Sequence, residues 1–387
     1  MKFAQSHLSY CTNIHPAETW AETLNVLQTH VLAVRDRLLE TPALGADEPF
    51  AIGLRLSAVA ARELLAEENL VNFKKWLMET NTYVFTINGF PYGSFHSTRV
   101  KEQVFKPDWT ERARVDYTKD LFKILAAIAR PGTGASVSTL PGSHKTFGAN
   151  ETKILENLIE LATWLDALAA ETGHDFHLGL EPEPLGHFEN TTETLAFFQR
   201  LHAAAPDAEI IRRRIGVNYD ACHFALEYDA AHESLNALTA AGIRISKIHL
   251  SSALALDPRD PAALAAIHHF DEPVYFHQAL LRREDGEITR FLDLPAFFTA
   301  VKSGSVDPAT FEEMRVHFHI PLDTEPAPPL RSTRDQTRQV LRWKSEHPSA
   351  CPHYEIETYT WGVLPNSLQR PVEEQIAGEY AWVFAQA

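Results

Sequence analysis

Residues 176–184 read FHLGLEPEP, a short apolar run that ends abruptly in carboxylates and prolines. Such a run is typical of a buried parallel strand. Proline has no N–H for the ladder and cannot continue a central strand, so the strand is predicted to stop before Pro182. Glu181 then lies at its carboxyl end, where α/β barrels and open α/β sheets place their chemistry.

Three later stretches end in the same way, on an acid or a histidine. They are residues 215–223 (IGVNYDACH), 245–250 (ISKIHL) and 354–359 (YEIETY). The four strand ends together offer Glu181, Asp220, His249 and Glu357. Three carboxylates cannot share a small site of low dielectric unless a positive charge neutralises them. The set therefore predicts a site for one divalent metal ion, and such ligands select poorly among Mn, Zn, Mg, Fe and Co.

This set of residues also predicts a chemistry. A ligand position left open can bind a substrate carbonyl and hydroxyl, and the ion then acidifies the adjacent C–H. Glu181 and Glu357 are the candidates for moving that proton. Each acid taken alone has a simpler interpretation, the capping of the next helix, but four such residues on successive strands are much harder to explain by capping.

Strand-like and helix-like segments alternate along the chain, which predicts parallel strands and right-handed crossovers. The predicted strands are 7–14, 50–56, 82–88, 135–140, 176–181, 215–220 and 245–249. The predicted helices are 20–38, 58–80, 110–130, 151–171, 191–204, 230–240 and 371–386. An eighth strand would close an α/β fold, a (β/α)8 TIM barrel.

Two segments compete for the eighth strand. We assign 354–360 to the barrel and 316–320 to an accessory strand. The expected architecture is a single domain over residues 1–387. A long insertion at 252–350, between the seventh and eighth strands, is expected to hold the accessory strand and a β-hairpin at 275–292.

Composition excludes several classes of protein. The 387 residues are 45% apolar, enough for a large core. The net charge of -16 disfavours nucleic acid as a partner. Three distant cysteines indicate no disulfide framework. Without a signal-peptide core or a membrane-length apolar run, we expect a cytoplasmic protein with no direct membrane insertion. The sequence contains no GxGxxG, P-loop or GxSxG element. It therefore gives no support for dinucleotide binding, nucleotide binding or serine-hydrolase activity.

Other polar residues near predicted strand ends are candidates for substrate binding. They are His15, Asn88, His96, His144, His223 and His319. Each could also have a purely structural role, as a helix cap or a solvated loop residue. The long polar loop after Asn88 is expected to act as a lid. Its cations, His96, Arg99, Lys101 and Lys106, are candidates for holding an anionic group.

Several of these stretches resemble sequences of a known superfamily. The Glu181 strand end, DACH at 220–223, KIHL at 247–250 and the Glu357 strand end resemble the xylose-isomerase-like TIM barrel superfamily. That group includes sugar isomerases, ketose 3-epimerases, inosose dehydratases and endonuclease IV-type enzymes. The resemblance implies a metal bound by Glu181, Asp220, His249 and Glu357. The chain departs from the pattern in the gap of 108 residues (357 − 249), which contains His317 and His319, two further candidate ligands.

Residues 7–20, 96–109 and 355–361 resemble one branch more closely, the EboE-type metabolite traffic proteins. These occur in gene clusters that export or process small metabolites, which implies protein partners of such a pathway. Three hypotheses follow. The first is a metal-dependent isomerase or epimerase of a small polyhydroxylated or carbonyl metabolite. The second is a metal-dependent hydrolase, and the third is a non-catalytic metabolite carrier or scaffold on the same barrel.

Overall fold

The structure is a computed structural model that describes residues 1–41, 43–94, 101–272, 274–365 and 368–386. Its strands are β1 (Lys2–Phe3), β2 (Ser6–Tyr10), β3 (Phe50–Arg55), β4 (Thr82–Asn88), β5 (Ala135–Thr139), β6 (Phe176–Leu180), β7 (Ile215–Asp220), β8 (Arg244–Leu250), β9 (Leu254–Leu256), β10 (Ala279–Arg282), β11 (Ile288–Phe291), β12 (Glu313–Val316), β13 (Arg331–Ser332) and β14 (His353–Ile356).

The helices connect these strands and cover the larger sheet. They are α1 (Trp20–Val26), α2 (Leu32–Leu39), α3 (Ala58–Leu64), α4 (Glu67–Glu79), α5 (Arg112–Ile128), α6 (Glu151–Thr172), α7 (Thr191–Ala204), α8 (Ala208–Arg214), α9 (Ala221–Leu226), α10 (Ala231–Ala240), α11 (Pro261–Ile267), α12 (Leu294–Ser303), α13 (Arg334–Glu346) and α14 (Val372–Phe384). None of the helices described here combines the length and the hydropathy that a membrane span requires.

The larger sheet forms the barrel. Within the described ranges its order is β1-β2-β14-β8-β7-β6-β5-β4-β3. All neighbours pair in parallel except β1, which is antiparallel to β2. A parallel bridge between Cys11 and Gly53 joins β2 to β3 and closes the ring. The predicted (β/α)8 TIM barrel with a long insertion between the seventh strand, β8, and the eighth, β14, is therefore confirmed.

The interior of this barrel is unusually polar. Side chains alternate along a strand, so His353, Glu355 and Glu357 share the interior face while Tyr354 and Ile356 pack outward. TIM barrels more commonly fill this space with branched apolar side chains. Here the outward-facing residues supply the apolar core against the helices, and the interior is left for hydrogen bonds and charges.

The insertion builds a second sheet. Its described strands follow the order β11-β10-β12-β9-β13, and β10 and β11 form an antiparallel hairpin. The accessory strand differs from the predicted 316–320, because β12 covers Glu313–Val316. Pro321 follows closely and cannot donate to a ladder. His317 and His319 therefore lie beyond the end of the strand, where their side chains turn toward the barrel.

Several other boundaries differ from the sequence prediction. The helix expected at 58–80 is split into α3 and α4, because Ala66 takes an extended conformation and the acidic start of α4 begins a new helix. A π-helical turn, Leu27–Val31, separates α1 from α2, and α8 and α9 were not predicted. The first and last barrel strands are also shorter than expected. They give way to the 3-10 turns Thr12–Ile14 and Tyr359–Val363.

Candidate metal centre and cavity

The barrel brings the four predicted ligands together. Glu181 directly follows β6, Asp220 ends β7, His249 lies next to last in β8, and Glu357 directly follows β14. One ligand atom from each lies within 4.8 Å of the others. All four side chains are buried, Asp220 and His249 completely. The chain thus gathers three carboxylates and an imidazole at one point, although 108 residues (357 − 249) separate the last two ligands.

A single nitrogen of His249 faces all three acids. His249 Nδ1 lies 3.2 Å from Glu181 Oε1, 3.2 Å from Asp220 Oδ2 and 3.4 Å from Glu357 Oε2. One N–H cannot be donated well to three acceptors. Burial alone would lower the pKa of His249, but Glu357 and Glu181 outweigh it and raise that pKa well above its usual value. The cluster requires a positive charge, and this donor set fits a divalent cation.

The other nitrogen of His249 is held from within the barrel. His249 Nε2 lies 2.9 Å from Glu355 Oε2, and Glu355 forms an ion pair with Lys247. Lys247 Nζ also donates to Ser138 Oγ at 3.0 Å. A carboxylate that accepts the second N–H of a ligand histidine fixes its tautomer, so Nδ1 is left free to bind a metal.

Electrostatics keep Glu355 ionised in that role. Burial alone would raise the pKa of Glu355, but Lys247 and then His249 outweigh it and lower that pKa to about 2. Gly53 leaves the space that this carboxylate occupies, because a Cβ there would collide with Glu355 Oε1. Lys247 and Glu355 are both fully buried, so neither charge is screened by water.

Neighbouring amides and hydroxyls orient the carboxylate ligands. Asn13 Nδ2 donates to Glu357 Oε1 at 2.8 Å, and Asn88 Nδ2 lies 3.4 Å from the same oxygen. Asp220 Oδ1 accepts the Ser251 hydroxyl at 2.6 Å and the N–H of Cys222 at 2.8 Å, and thereby caps α9. The capping interpretation of Asp220 is thus satisfied by one oxygen, while its Oδ2 faces His249.

A second group of potential ligands adjoins the first. His319 Nε2 lies 3.4 Å from both His223 Nε2 and His317 Nε2. His223 Nδ1 and His319 Nδ1 lie within hydrogen-bond reach of the carbonyl oxygens of Pro182 and Glu357, so each ring directs its Nε2 toward the neighbouring histidines. Glu183 Oε2 lies 3.5 Å from His223 Nε2. Burial and the charges of Glu181, Asp220 and Glu357 raise the pKa of Glu183 well above its usual value.

A cavity opens above these residues. Its inner part is lined by residues at or soon after the barrel strand ends, together with His317 of the insertion. The strand-end residues are Asn13, Asn88, Glu181, Glu183, His223 and Glu357. Its outer part is lined by loop and insertion residues, namely Phe90, Pro91, Lys101, Val104, Phe105, Pro184, Leu185, Tyr275, Phe276, Gln278 and Tyr359. The cavity is therefore polar beside the metal centre and largely apolar in the part lined by the loops and the insertion.

The predicted substrate-binding residues divide into two groups. Asn88 and His223 line the cavity. His15 does not, because its ring stacks on His30 at 4.6 Å and its Nε2 lies 3.1 Å from Tyr10 Oη. His144 and His319 lie behind the cavity wall. His144 contacts the Phe105 ring at 5.0 Å, and His319 contacts the Glu357 carbonyl.

His96 lies outside the described residues, as does Arg99 of the predicted basic patch. Lys106 of that patch forms ion pairs with Asp108 and Glu111.

Sequence reasoning missed the residues that support the ligands. Glu355 and Lys247 each lie two positions before a predicted ligand, and in a strand that spacing places both side chains on one face. This alternation was a usable signal for both. Asn13 gave no comparable signal, because a 3-10 turn rather than a strand carries it into the site.

The fold and site define an α/β barrel with a candidate metal centre at the carboxyl ends of its strands. No protein-family model matches the sequence, and no curated protein is significantly similar to it. Among solved structures, a xylose isomerase domain protein from Planctomyces limnophilus is 12% identical, with a TM-score of 0.49 over 92% of this chain and 91% of that chain.

Two further solved structures are similar to this chain. The IOLI protein, solved with a zinc atom bound, is 11% identical, with a TM-score of 0.48 over 98% of each chain. An L-ribulose 3-epimerase is 13% identical, with a TM-score of 0.40 over 70% of this chain and 80% of that chain. The predicted barrel itself is confirmed by the strand order and the closing bridge described above. The narrower resemblance to EboE-type proteins stays a prediction.

Proposed function

We propose that this protein is a divalent-metal-dependent isomerase or epimerase of a small polyhydroxylated or carbonyl metabolite. The observation that carries the proposal is the convergence of Glu181, Asp220, His249 and Glu357 on one point at the base of a cavity. We further propose that it acts in the cytoplasm within a metabolite export or processing pathway, with protein partners from that pathway. The resemblance to EboE-type proteins supports this part.

A bound divalent cation would supply Lewis-acid catalysis at a substrate carbonyl. The chain's own residues would handle the proton. Glu181 and Glu357 lie at the ends of β6 and β14, which β7 and β8 separate, so they approach the cavity from different sides. One carboxylate can remove a proton next to the carbonyl and the other can return one. Asn13 holds Glu357 Oε1, and His223 Nε2 can accept a hydrogen bond from a substrate hydroxyl.

The first experiment combines elemental analysis with hydrogen exchange. Protein purified without chelator is analysed for metals. It is then incubated in D2O with α-hydroxyketones and ketoses while NMR follows loss of the C–H signal next to the carbonyl. We expect a bound divalent ion and metal-dependent exchange in the wild type. Glu181→Gln should lose both, whereas Glu160→Gln, on the exposed face of α6, should keep both.

Two results would refute the proposal. One is unchanged exchange in Glu181→Gln. The other is a wild type that binds no metal on reconstitution. A metal-free protein that retains a metabolite without converting it would instead be a carrier or scaffold.

The second group of ligands favours one other function, metal-dependent hydrolysis. Enzymes that hydrolyse phosphoesters commonly hold two ions close together, and Glu183, His223 and His317 could hold a second ion beside the first. The test is hydrolysis of bis-p-nitrophenyl phosphate with a panel of metals. Hydrolysis that is lost in His317→Gln, with two ions per chain in the wild type, would favour this function over isomerisation.

A further inference from the structure

We infer that the substrate carries an aromatic or other planar conjugated group next to the oxygens that reach the metal centre. This inference rests on the proposed function for the oxygens and adds the class of molecule that bears them. It comes from the outer part of the cavity, which the four predicted ligands do not form. That part is lined by five aromatic rings, from Phe90, Phe105, Tyr275, Phe276 and Tyr359.

These rings pack into two connected groups. Phe90 and Phe105 meet edge to face at 5.4 Å, and Tyr275 and Tyr359 meet in the same way at 5.2 Å. His144 connects the first group to Phe276, with ring distances of 5.0 Å to Phe105 and 6.5 Å to Phe276. Rings held by their neighbours in this way offer preformed surfaces on which a planar group can pack with little loss of conformational entropy.

The distribution of polar groups opposes an extended polyol. Asn13, Asn88 and the carboxylates lie at the strand ends, whereas the outer wall belongs to loops and to the insertion. A hydroxyl buried against an aromatic face without a partner loses its hydrogen bonds to water. A linear sugar would fill the inner part well and leave most of its remaining hydroxyls against the rings, where Gln278 and the tyrosine hydroxyls are among the few polar groups. A planar apolar group fits that outer part without this cost.

The charges described here also oppose a strongly anionic substituent. Of the described residues that line the cavity, Lys101 alone carries a permanent positive charge. Its Nζ donates to Asp293 Oδ2 at 2.6 Å and lies 4.9 Å from the centre of the Phe276 ring. Asp293 neutralises this cation, so Lys101 acts mainly as part of the wall. Lys101 is therefore already paired where it borders Phe276.

The insertion fixes the position of the wall. His277, the residue after Phe276, donates its backbone N–H to Asp293 Oδ1 at 3.0 Å. Its ring lies between Glu272 Oε1 at 2.8 Å and the His317 carbonyl at 2.9 Å. The segment that presents Tyr275 and Phe276 is therefore held by the same stretch that carries His317 to the second group of ligands. The insertion thus supplies two of the five rings, Tyr275 and Phe276, whereas the four predicted ligands come from the barrel strands.

The test uses three α-hydroxyketones that differ only beyond the chelating oxygens. They are hydroxyacetone with a methyl group, L-erythrulose with a hydroxylated chain and α-hydroxyacetophenone with a phenyl ring. Binding is measured by calorimetry on metal-loaded and on metal-free protein. We expect α-hydroxyacetophenone to bind at least ~10-fold more tightly than either of the others. The preference should persist without metal, because the wall does not depend on the ion.

A pair of variants localises the effect. Phe276→Ala, at a partly exposed position, should weaken α-hydroxyacetophenone by ~5-fold and change hydroxyacetone by less than twofold. Phe298→Ala, in the same insertion but outside the cavity, should change neither. Tighter binding of erythrulose, or equal binding of the phenyl compound by both variants and the wild type, would overturn the inference.

The same data separate this inference from the proposed function. A protein that binds metal and exchanges the C–H of ketoses, but shows no preference for the phenyl compound, would refute only the inference. A protein that never binds metal, yet prefers the phenyl compound through Phe276, would refute only the metal-dependent function.

Discussion

The two ends of the barrel interior contain equally buried histidines with opposite electrostatic behaviour. At the carboxyl end, the pKa of His249 is raised well above its usual value. At the amino end, burial lowers the pKa of His7 to about 4, that of His353 to about 3 and that of His177 well below its usual value. His249, His177 and His353 are all fully buried, so burial itself does not explain the difference.

The partners of each imidazole explain the contrast. His249 faces the carboxylates of Glu181, Asp220 and Glu357, which favour a positive charge. His353 instead lies 2.9 Å from both the Ser136 hydroxyl and the Thr133 carbonyl, which are uncharged partners. One end of the barrel therefore attracts a cation, while the other is a neutral hydrogen-bonded core. The position of the acids, more than the polar composition, distinguishes the functional end.

The largest expected effect is on metal affinity, and it is tested by substituting one histidine from each end. His249→Gln removes a ligand and the group that neutralises three acids, so we expect metal affinity to fall by more than ~100-fold. His353→Gln should leave metal affinity within twofold, because it lies at the opposite end of the strand that precedes Glu357. Metal titration with a competing chelator measures both. Equal losses in the two variants would show that the contrast between the ends has no functional meaning.

The next effect tests the Lys247–Glu355 pair that lies between the two ends. Lys247→Met leaves Glu355 as an unpaired buried charge, which is expected to reduce the free energy of unfolding by about 3–5 kcal/mol. Metal affinity should fall by ~10–100-fold, because the group that orients His249 is disturbed. Denaturant unfolding and metal titration measure the two quantities.

The matched control for that variant is the double change Lys247→Met with Glu355→Gln. It removes both charges, so it should recover most of the unfolding free energy while metal affinity stays reduced. Recovery of both quantities would mean that Glu355 plays no part in positioning His249.

The third effect concerns pH at the amino end. His353 has a folded pKa of about 3, below its usual 6.5, so the unfolded chain binds the extra proton first as pH falls. Stability is therefore lost as pH drops from about 6.5 toward 3, with a contribution from this residue of about 1.4 kcal/mol per pH unit. Unfolding of metal-free protein in chelator should show a slope that His353→Gln reduces by about one proton. An identical slope in the variant would mean that His353 is not held neutral.

The contrast between the ends also shows what the sequence could predict. The four ligands could be predicted because parallel strands in a barrel bring their carboxyl ends together, whatever the separation along the chain. They are Glu181, Asp220, His249 and Glu357. The pairing of Lys247 with Glu355 could not be predicted from the sequence. It depends on the register of β14 against β8, which sets Glu355 opposite His249 across a long insertion.

Loop geometry limited the prediction of the cavity in the same way. His15 was predicted to reach a substrate, but the chain turns into a 3-10 helix at Thr12–Ile14, which carries Asn13 inward and His15 outward against His30. Phe276 reaches the cavity only through the path of the insertion. Hydrophobic periodicity identifies elements such as strands and helices, and it contains no information on where irregular segments of this kind lead.

The smallest expected effect is that of Asn13 on metal affinity. It tests how far the functional end of the barrel extends beyond the ligands. Asn13 Nδ2 donates to Glu357 Oε1 at 2.8 Å, and a hydrogen bond to a charged group commonly contributes about 1.5 kcal/mol or more. Asn13→Ala should thus weaken metal binding by ~10-fold, and Asn13→Ser should recover part of the loss if its hydroxyl reaches the carboxylate. Asn25→Ala on α1 serves as the control, with no change expected. Unchanged metal affinity in Asn13→Ala would show that Glu357 is oriented by its strand alone, so that the charged end of the barrel begins with the ligands and does not extend to the turn that follows β2.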